Sequence, residues 1–247
     1  MTATTETAPR RTRWQRLRHS PLTHVVLAVV VVALLQAFVI KPFHVPSESM
    51  LPTLESGDRI LANRLAYAVS EPGAGDVIVF ARPDTWGTPP ERSPLRTAVG
   101  WVGDIVGFGP SNQEVLVKRI IGAPGSTVQC CSADGHLEVD GQPVEEGYVT
   151  SDPPFTPRVN DCATSPASPR CFGPIVVPDD QFLVMGDNRD NSSDSVISCR
   201  GDAMPPSGCA RFVPRSQIIG KVVSVVWPLD RARLFANGDG SRRHPLL

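Results

Sequence analysis

The longest apolar segment of the chain covers residues 22–40, and only three polar residues interrupt it. A helix over these 19 residues is about 30 Å long, which matches the hydrocarbon core of a bilayer. Five arginines and one acidic residue precede it, and positive flanks stay on the cytoplasmic side of a membrane. The arginines are Arg10, Arg11, Arg13, Arg16 and Arg18. The pattern predicts a basic cytoplasmic tail over 1–21, a transmembrane helix over 22–40 and an extracytoplasmic domain over 41–247.

A cleaved secretory signal peptide is the alternative interpretation, because it also combines a basic flank with an apolar run. Its cleavage requires small residues near the end of the run. Bulky residues stand there instead, from Phe38 to Lys41. The sequence therefore favours an uncleaved, single-pass anchor in the plasma membrane, with the lipid bilayer as a partner.

After the apolar segment, short runs rich in valine and isoleucine alternate with turn residues. The 25 prolines and 20 glycines oppose long helices and favour strands joined by turns. Strands are predicted over 75–81, 114–121, 175–178, 181–188 and 218–227, a hairpin over 137–144 and a loop over 151–174. The hairpin prediction rests on Asp140 followed by Gly141, a pair that favours a tight turn. The expected fold class is mainly β, with antiparallel sheets after one N-terminal helix.

All six cysteines follow the apolar segment, on the side where an oxidising compartment allows disulfides to persist. Cys162 and Cys171 flank a short loop rich in proline and serine, so we expect them to pair. The same argument pairs Cys199 with Cys209. The adjacent residues 130 and 131 are also cysteines, and the sequence leaves their pairing open. A zinc site is disfavoured, because paired Cys-x-x-Cys units and nearby histidines are absent from the sequence.

A serine and a lysine are the candidates for catalytic chemistry. Ser49 follows the apolar segment closely, and a serine hydroxyl needs a base before it can attack a carbonyl. The five histidines are poorly placed for this, although His44 and His136 stay as alternatives. Lys118 lies in an apolar run, and a lysine kept away from water has a lowered pKa that suits a general base. The formal net charge of −1 gives no basic surface for nucleic acid, which is therefore not an expected partner.

Five motifs follow the apolar segment in a fixed order. They are Ser-Met-Leu-Pro-Thr at 49–53, Gly-Asp-Arg-Ile at 57–60, Gly-Asp-Val-Ile-Val-Phe at 75–80, Lys-Arg-Ile-Ile-Gly-Ala-Pro-Gly at 118–125 and Gly-Asp-Asn-Arg-Asp-Asn-Ser-Ser-Asp-Ser at 186–195. This series closely resembles the bacterial type I signal peptidases, or leader peptidases. These membrane-bound Ser-Lys enzymes remove signal peptides from exported proteins. The resemblance covers residues 22–227 and leaves out the N-terminal tail and the C-terminal end.

The resemblance implies a role for each matched residue. Ser49 is the expected nucleophile and Lys118 the general base. Ser47 matches the family's oxyanion-hole serine, and Ser192 matches the serine that hydrogen-bonds and orients the lysine. The expected lining of the pockets for small substrate residues at positions −1 and −3 is Phe43, Val45, Met50 and Val117. The substrate is expected to lie extended between residues 42–46 and 115–117.

The family's supporting residues also have counterparts. Arg119 and Asp194 resemble a structural ion pair, and the matched turn supports are Asp187, Asn188 and Arg189. Two positions depart from the family pattern, since Ser126 stands where an aspartate is usual and Val196 where an arginine is usual. If the segment from Cys199 to Cys209 is an insertion, Arg200 replaces the missing arginine and its salt bridge survives.

The resemblance implies an antiparallel β catalytic core with a smaller β cap inserted at about 126–178. The implied activity is endopeptidase cleavage after Ala-x-Ala-like sites in the signal peptides of exported preproteins, with no metal or organic cofactor. A self-cleaving repressor-type Ser-Lys protease shares the dyad, but a membrane anchor argues against it. A catalytically idle, anchored β domain that binds exported peptides or cell-wall components is the alternative from another class.

Overall fold

The computed structural model describes residues 20–87, 114–201 and 208–235. Within these ranges the chain forms one α-helix, α1, over Pro21–Phe38. A proline suits the first turn of a helix, because the backbone N–H that it lacks has no intrahelical acceptor there. None of the described residues belongs to a helix with the length and apolar character needed to cross a membrane. The predicted transmembrane helix is therefore not confirmed, and the basic tail lies outside the described residues.

The described residues also form twelve strands. They are β1 (Ile40–His44), β2 (Arg59–Asn63), β3 (Val77–Ala81), β4 (Val115–Gly122), β5 (Thr127–Cys130), β6 (Leu137–Val139), β7 (Gln142–Pro143), β8 (Phe172–Val176), β9 (Gln181–Met185), β10 (Val213–Pro214), β11 (Ile218–Trp227) and β12 (Arg233–Leu234). All the strand pairs are antiparallel. The mainly β, antiparallel fold class is confirmed.

Two sheets organise these strands. Among the described residues, the larger sheet has the order β1-β2-β11-β3-β4-β9-β10, with β12 paired to β11. The smaller sheet has the order β7-β6-β5-β8 and lies between β4 and β9 in the chain. The smaller sheet therefore falls within the stretch 126–178, where the sequence places an inserted cap.

The larger sheet has an apolar core on each face. In β3, Val77 and Val79 pack into a cluster with Met50, whereas Ile78 and Phe80 pack into a second cluster. Because successive side chains of a strand point to opposite faces, both faces of β3 are buried. This arrangement explains why β3 is a continuous apolar run rather than an alternating pattern.

A third cluster joins the two sheets. Ile121 and Leu183 come from the larger sheet, and Val128, Leu137 and Phe172 come from the smaller one. All five side chains are almost completely buried. The inserted sheet therefore shares its core with β4 and β9, the two strands that precede and follow it.

Most strand predictions are confirmed, with shifts at the ends. The strands expected over 75–81, 114–121, 181–188 and 218–227 correspond to β3, β4, β9 and β11, and the expected hairpin is formed by β6 and β7. The loop prediction over 151–174 is wrong at its end, because β8 begins at Phe172 and pairs there with β5. The proline and serine content of the segment indicated a loop, but burial of Phe172 against β5 outweighs that local signal.

The disulfide predictions are also confirmed. Cys162 is bonded to Cys171 and Cys199 to Cys209. The remaining pair, which the sequence left open, is a bond between the neighbours Cys130 and Cys131. All six cysteines are thus oxidised.

Replacement of both Cys162 and Cys171 by serine is expected to lower the free energy of unfolding by about 3 kcal/mol. The bond closes a loop with a sequence separation of 9 residues, and its loss frees that loop in the unfolded chain. The Cys199→Ser/Cys209→Ser variant opens a loop of similar length, with a separation of 10, and we expect a similar loss. Urea unfolding of the full chain in detergent measures both values. Unchanged urea midpoints would contradict this account of the disulfides.

Candidate active site

Ser49 and Lys118 lie side by side although 69 positions separate them in the sequence. Lys118 belongs to β4 and is paired opposite Ile78 of β3. Ser49 lies in the turn that follows β1, where the Leu51 N–H donates to the Glu48 carbonyl at 3.1 Å. The side-chain nitrogen Nζ of Lys118 donates to Ser49 Oγ at 2.6 Å. The central strand and the turn thus bring an amine into direct contact with a hydroxyl.

Burial lowers the pKa of the Lys118 amine. The residue is only 3% exposed, so its ammonium form has lost most of its hydration. The pKa falls from 10.5 to about 8, and loss of hydration is the largest cause. The carboxylates of Asp194 and Asp187 act in the opposite direction, because negative charge favours the ammonium form. A lysine with this pKa is neutral often enough near pH 8 to accept a proton.

The two histidines considered as alternative bases do not share this environment. His44 lies at the end of β1 and is exposed, and His136 lies just before β6 and is also exposed. Ser49 itself is 9% exposed. Of the three candidate bases, Lys118 is the buried one, and it is hydrogen-bonded to Ser49.

A second hydroxyl lies beside the nucleophile. Ser47 Oγ is 3.3 Å from Ser49 Oγ, close enough for a hydrogen bond in which either can donate. The structure therefore brings together three of the matched catalytic residues, which are Ser47, Ser49 and Lys118.

The fourth matched residue, Ser192, is close to the turn but not bonded to the lysine. A Cβ atom added to Gly186 would lie 2.4 Å from both Ser192 Oγ and the Ser49 carbonyl oxygen, which places all three groups together. Ser192 is 5% exposed, and its hydroxyl makes no hydrogen bond to any described residue. The predicted hydrogen bond between Ser192 and Lys118 is thus not formed, and the amine donates to Ser49.

Asn188 fixes the backbone of the nucleophile's turn. Its N–H donates to the Ser49 carbonyl at 3.1 Å, and its side-chain Nδ2 donates to the Glu48 carbonyl at 3.2 Å. The turn after β9 therefore supports the turn after β1 by two hydrogen bonds.

The predicted ion pair between Arg119 and Asp194 is wrong. Arg119 instead makes a bidentate pair with Asp187, at 2.9 Å from Nε to Oδ1 and 2.7 Å from Nη2 to Oδ2. Its Nη1 donates to the Gly75 carbonyl at 2.8 Å, so the guanidinium is held on several sides. Asp194 pairs with Arg200 at 3.1 Å, as expected if Arg200 replaces the arginine that is missing at position 196. Each acidic group near Lys118 therefore has its own arginine.

The segment between β7 and β8 also reaches the site. Arg189 forms a buried ion pair with Glu146, and its N–H donates to the Ser151 carbonyl at 2.8 Å. The guanidinium carbon of Arg119 lies 4.0 Å from the centre of the Tyr148 ring, a cation–π contact. Sequence reasoning missed Glu146, Tyr148 and Ser151, because they lie outside every motif. The only available signal was that Tyr148 is one of two tyrosines in the chain.

The four residues matched to the substrate pockets pack in one cluster. Val45 and Met50 are 2% and 1% exposed, whereas Phe43 and Val117 are half-buried. Only the last two therefore present appreciable apolar surface to solvent beside the dyad.

Comparisons with known proteins show the family of the chain. The family model described as "Signal peptidase, peptidase S26" matches residues 18–227. This chain belongs to that family. The chain is 41% identical over 214 residues to the probable signal peptidase I of Mycobacterium leprae (strain TN), covering 78% of this chain and 71% of that protein. It is 40% identical over 208 residues to signal peptidase I of Mycobacterium tuberculosis (strain H37Rv), covering 78% and 67%.

Membership of the S26 family makes the chain a serine hydrolase. A crystal structure of a signal peptidase I from Enterococcus faecalis V583 covers 62% of this chain and 97% of its own, at 22% identity and a TM-score of 0.33. This structural likeness is too low to support an argument, so the family assignment rests on the family match and the sequence identities.

The Arg119–Asp187 pair of this S26 peptidase is expected to matter strongly for stability. The two side chains are 1% and 0% exposed, and Asp187→Asn leaves a buried guanidinium without its counter-charge. We expect a loss of about 3–5 kcal/mol in the free energy of unfolding, measured by urea denaturation. The control is Glu71→Gln, which breaks the pair with Arg215 at a carboxylate that is 79% exposed and is expected to cost less than about 1 kcal/mol. Equal losses in the two variants would contradict this interpretation.

Gly186→Ala is expected to displace the nucleophile. Its Cβ would meet the Ser49 backbone oxygen at 2.4 Å, and a backbone atom cannot move aside as a flexible side chain can. A shift of about 1 Å at a reacting group can lower kcat/KM about 100-fold, so we expect a loss of that order in peptide cleavage. The matched control is Gly73→Ala, whose Cβ has nothing within 4 Å. A folded Gly186→Ala enzyme with parental kcat/KM would show that the close approach is unimportant.

Proposed function

We propose that the chain is a membrane-anchored signal peptidase that removes signal peptides from exported preproteins with Ser49 as nucleophile and Lys118 as general base. The contact of 2.6 Å between Lys118 Nζ and Ser49 Oγ, inside a buried site, carries this proposal. The neutral amine accepts the Ser49 proton as Oγ forms a bond with the scissile carbonyl carbon. The lowered pKa of Lys118, about 8, supports this role.

The remaining steps use the same groups. The oxyanion accepts hydrogen bonds from the Ser49 N–H and the Ser47 hydroxyl, and the Lys118 ammonium returns its proton to the leaving amine. Water then attacks the ester carbonyl while Lys118 takes its proton, the bond from the carbonyl carbon to Ser49 Oγ breaks, and the Lys118 ammonium returns the proton to Ser49 Oγ as the signal peptide leaves. The Ser192 hydroxyl, buried and without a partner among the described residues, is available to orient the amine during these steps.

The substrate lies extended between two strands. Among the described strands, β1 pairs with β2 alone and is the terminal strand of its sheet. In β4, pairing with β9 begins at Arg119, so residues 115–117 pair only with β3 within the described part of the chain. An extended peptide can therefore add its backbone hydrogen bonds at either edge.

The apolar surface at this place suits small side chains. Val45 and Met50 are almost completely buried, which leaves little depth beneath Phe43 and Val117. A shallow apolar pocket accepts alanine and excludes large residues by steric contact. The burial of Val45 and Met50 supports the proposal that cleavage occurs after Ala-x-Ala-like sites.

The helix α1 anchors the enzyme. Its large apolar side chains are uncovered, with Leu22, Val25 and Leu27 each 59–70% exposed. Exposed apolar surface on all sides of a helix is typical of contact with lipid. The tail before α1 stays in the cytoplasm, and the disulfide-bonded domain lies on the extracytoplasmic side.

The test of this function is cleavage of a peptide with an Ala-x-Ala site by the parent enzyme and by variants of the dyad. We expect Lys118→Arg and Ser49→Ala to lose essentially all activity. An arginine keeps the positive charge but cannot release its proton at usable pH, so it cannot act as a base. The kcat/KM of each variant, compared with that of the parent, tests the roles of Ser49 and Lys118.

Lys221→Arg provides the matched control, because Lys221 is paired with Asp76 at 2.6 Å and an arginine can keep that ion pair. It is expected to retain near-parental kcat/KM. A folded Lys118→Arg enzyme with normal turnover would rule out the proposed base. An inactive parent would favour the idle β domain.

The pH dependence of the parent enzyme follows from the pKa of Lys118. The protonated amine cannot accept the serine proton, so kcat/KM should rise about tenfold per pH unit below pH 8 and level off above it. Peptide cleavage measured between pH 6 and 10 gives the profile. A rate that is constant from pH 6 to 9, or that rises only near pH 10.5, would disagree with the lowered pKa.

A further inference from the structure

A cavity of about 260 Å³ lies away from the dyad, between the turn after β2 and the start of β11. Its polar lining consists of two arginines and a tyrosine, and its apolar lining of aliphatic residues. The lining residues are Arg64, Tyr67, Ala68, Pro72, Arg215, Ile218 and Ile219. None of them takes part in the proposed catalysis.

The cavity lies next to the C-terminal end of α1. Val39 is the residue that caps this end, and the Arg64 N–H donates to its carbonyl at 2.8 Å. In the sheet, Asn63 is paired on one side with Ile40 and on the other with Lys221. If α1 anchors the protein, as proposed above, the cavity opens at the level where the chain leaves the bilayer.

The turn beside the cavity exposes apolar side chains. Val69 is 93% exposed and Leu65 is 47% exposed, on either side of the short 3-10 turn Ala66–Ala68. Such residues are favourable at a membrane surface, where their side chains enter the boundary between headgroups and acyl chains.

The charges of the cavity suit an anion. Arg215 donates to the Tyr67 carbonyl at 3.5 Å and pairs with Glu71, whose side chain is 79% exposed. An ion pair this exposed contributes little, so a phosphate that binds arginine at two points can replace the carboxylate. The Tyr67 hydroxyl is bonded to Asp76 at 3.0 Å and holds that wall of the cavity in place.

We propose that this cavity, which we name the Arg64–Arg215 pocket, binds the phosphate headgroup of an acidic phospholipid. Its volume is below the roughly 300–1,000 Å³ of a site for a drug-sized ligand, so it takes a headgroup and not a whole lipid. The glycerol part contacts Ile218 and Ile219, and the acyl chains leave past Leu65 and Val69. An inorganic anion would make no use of the apolar walls. The inference depends on the proposed function only for the position of α1.

The test is native mass spectrometry of the full chain, purified in detergent and mixed with phosphatidylglycerol or phosphatidylcholine. The parent is expected to retain phosphatidylglycerol in preference. Arg64→Gln/Arg215→Gln should lower its occupancy about tenfold or more, since two charge-assisted contacts are lost. The matched control, Arg59→Gln, removes an exposed arginine at the other end of β2 and should leave occupancy unchanged. Arg64→Lys/Arg215→Lys keeps the charge and should lose only part of the binding.

Three results would overturn the proposal: equal retention of both lipids by the parent, unchanged occupancy in the double glutamine variant, or complete displacement of the lipid by millimolar inorganic phosphate. The last result would indicate a general anion site. Peptide cleavage by each variant is measured in parallel and should equal that of the parent, which shows that the variants are folded. Loss of cleavage in the parent itself would contradict the proposed function and leave the lipid result standing.

Discussion

The site depends on the burial of one lysine against one serine. Water is largely excluded from Lys118, and the resulting fall of its pKa to about 8 lets the amine that touches Ser49 act as a base. Placing a lysine in the middle of a buried sheet costs stability, because its charged form loses hydration. The strands on either side of β4 pack with it through apolar side chains, which include Ile78, Ile120 and Val184.

The neighbouring acidic groups act against this effect on the pKa of Lys118. Asp187 and Asp194 both favour the ammonium form of Lys118, but each is bound to an arginine of its own. Burial outweighs these carboxylates, and the pKa of Lys118 stays lowered to about 8. Two residues from the segment before β8 contact arginines of the site. The Tyr148 ring packs on the guanidinium of Arg119, and Glu146 pairs with Arg189. The inserted part of the chain therefore belongs to the support of the site.

The sequence predicted the elements whose signal is local. Val77 to Phe80 is a continuous apolar run that forms β3, and the cysteines at 162 and 171 flank one short loop, so no distant partner was needed to infer either feature. The positions of Ser49 and Lys118 came from motifs. The ion-pair partner of an arginine depends on the tertiary structure, which the local sequence does not show. The partner of Arg119 was assigned incorrectly because both Asp187 and Asp194 lie in the segment that follows β9. Strand β1 contains Pro42, and both β1 and β2 mix polar with apolar residues. Their pairing depends on contacts across the sheet that no single segment shows.

The pKa of the Lys118 amine, measured by NMR titration of the side-chain 13Cε resonance in the full chain, tests this account most directly. The chain contains three lysines, so three resonances are expected, and loss of one signal in Lys118→Arg assigns it. The account predicts a midpoint of about 8 for Lys118. A midpoint near the ordinary lysine value of about 10.4 would contradict the central claim, because the amine would then be charged at the pH where the enzyme works.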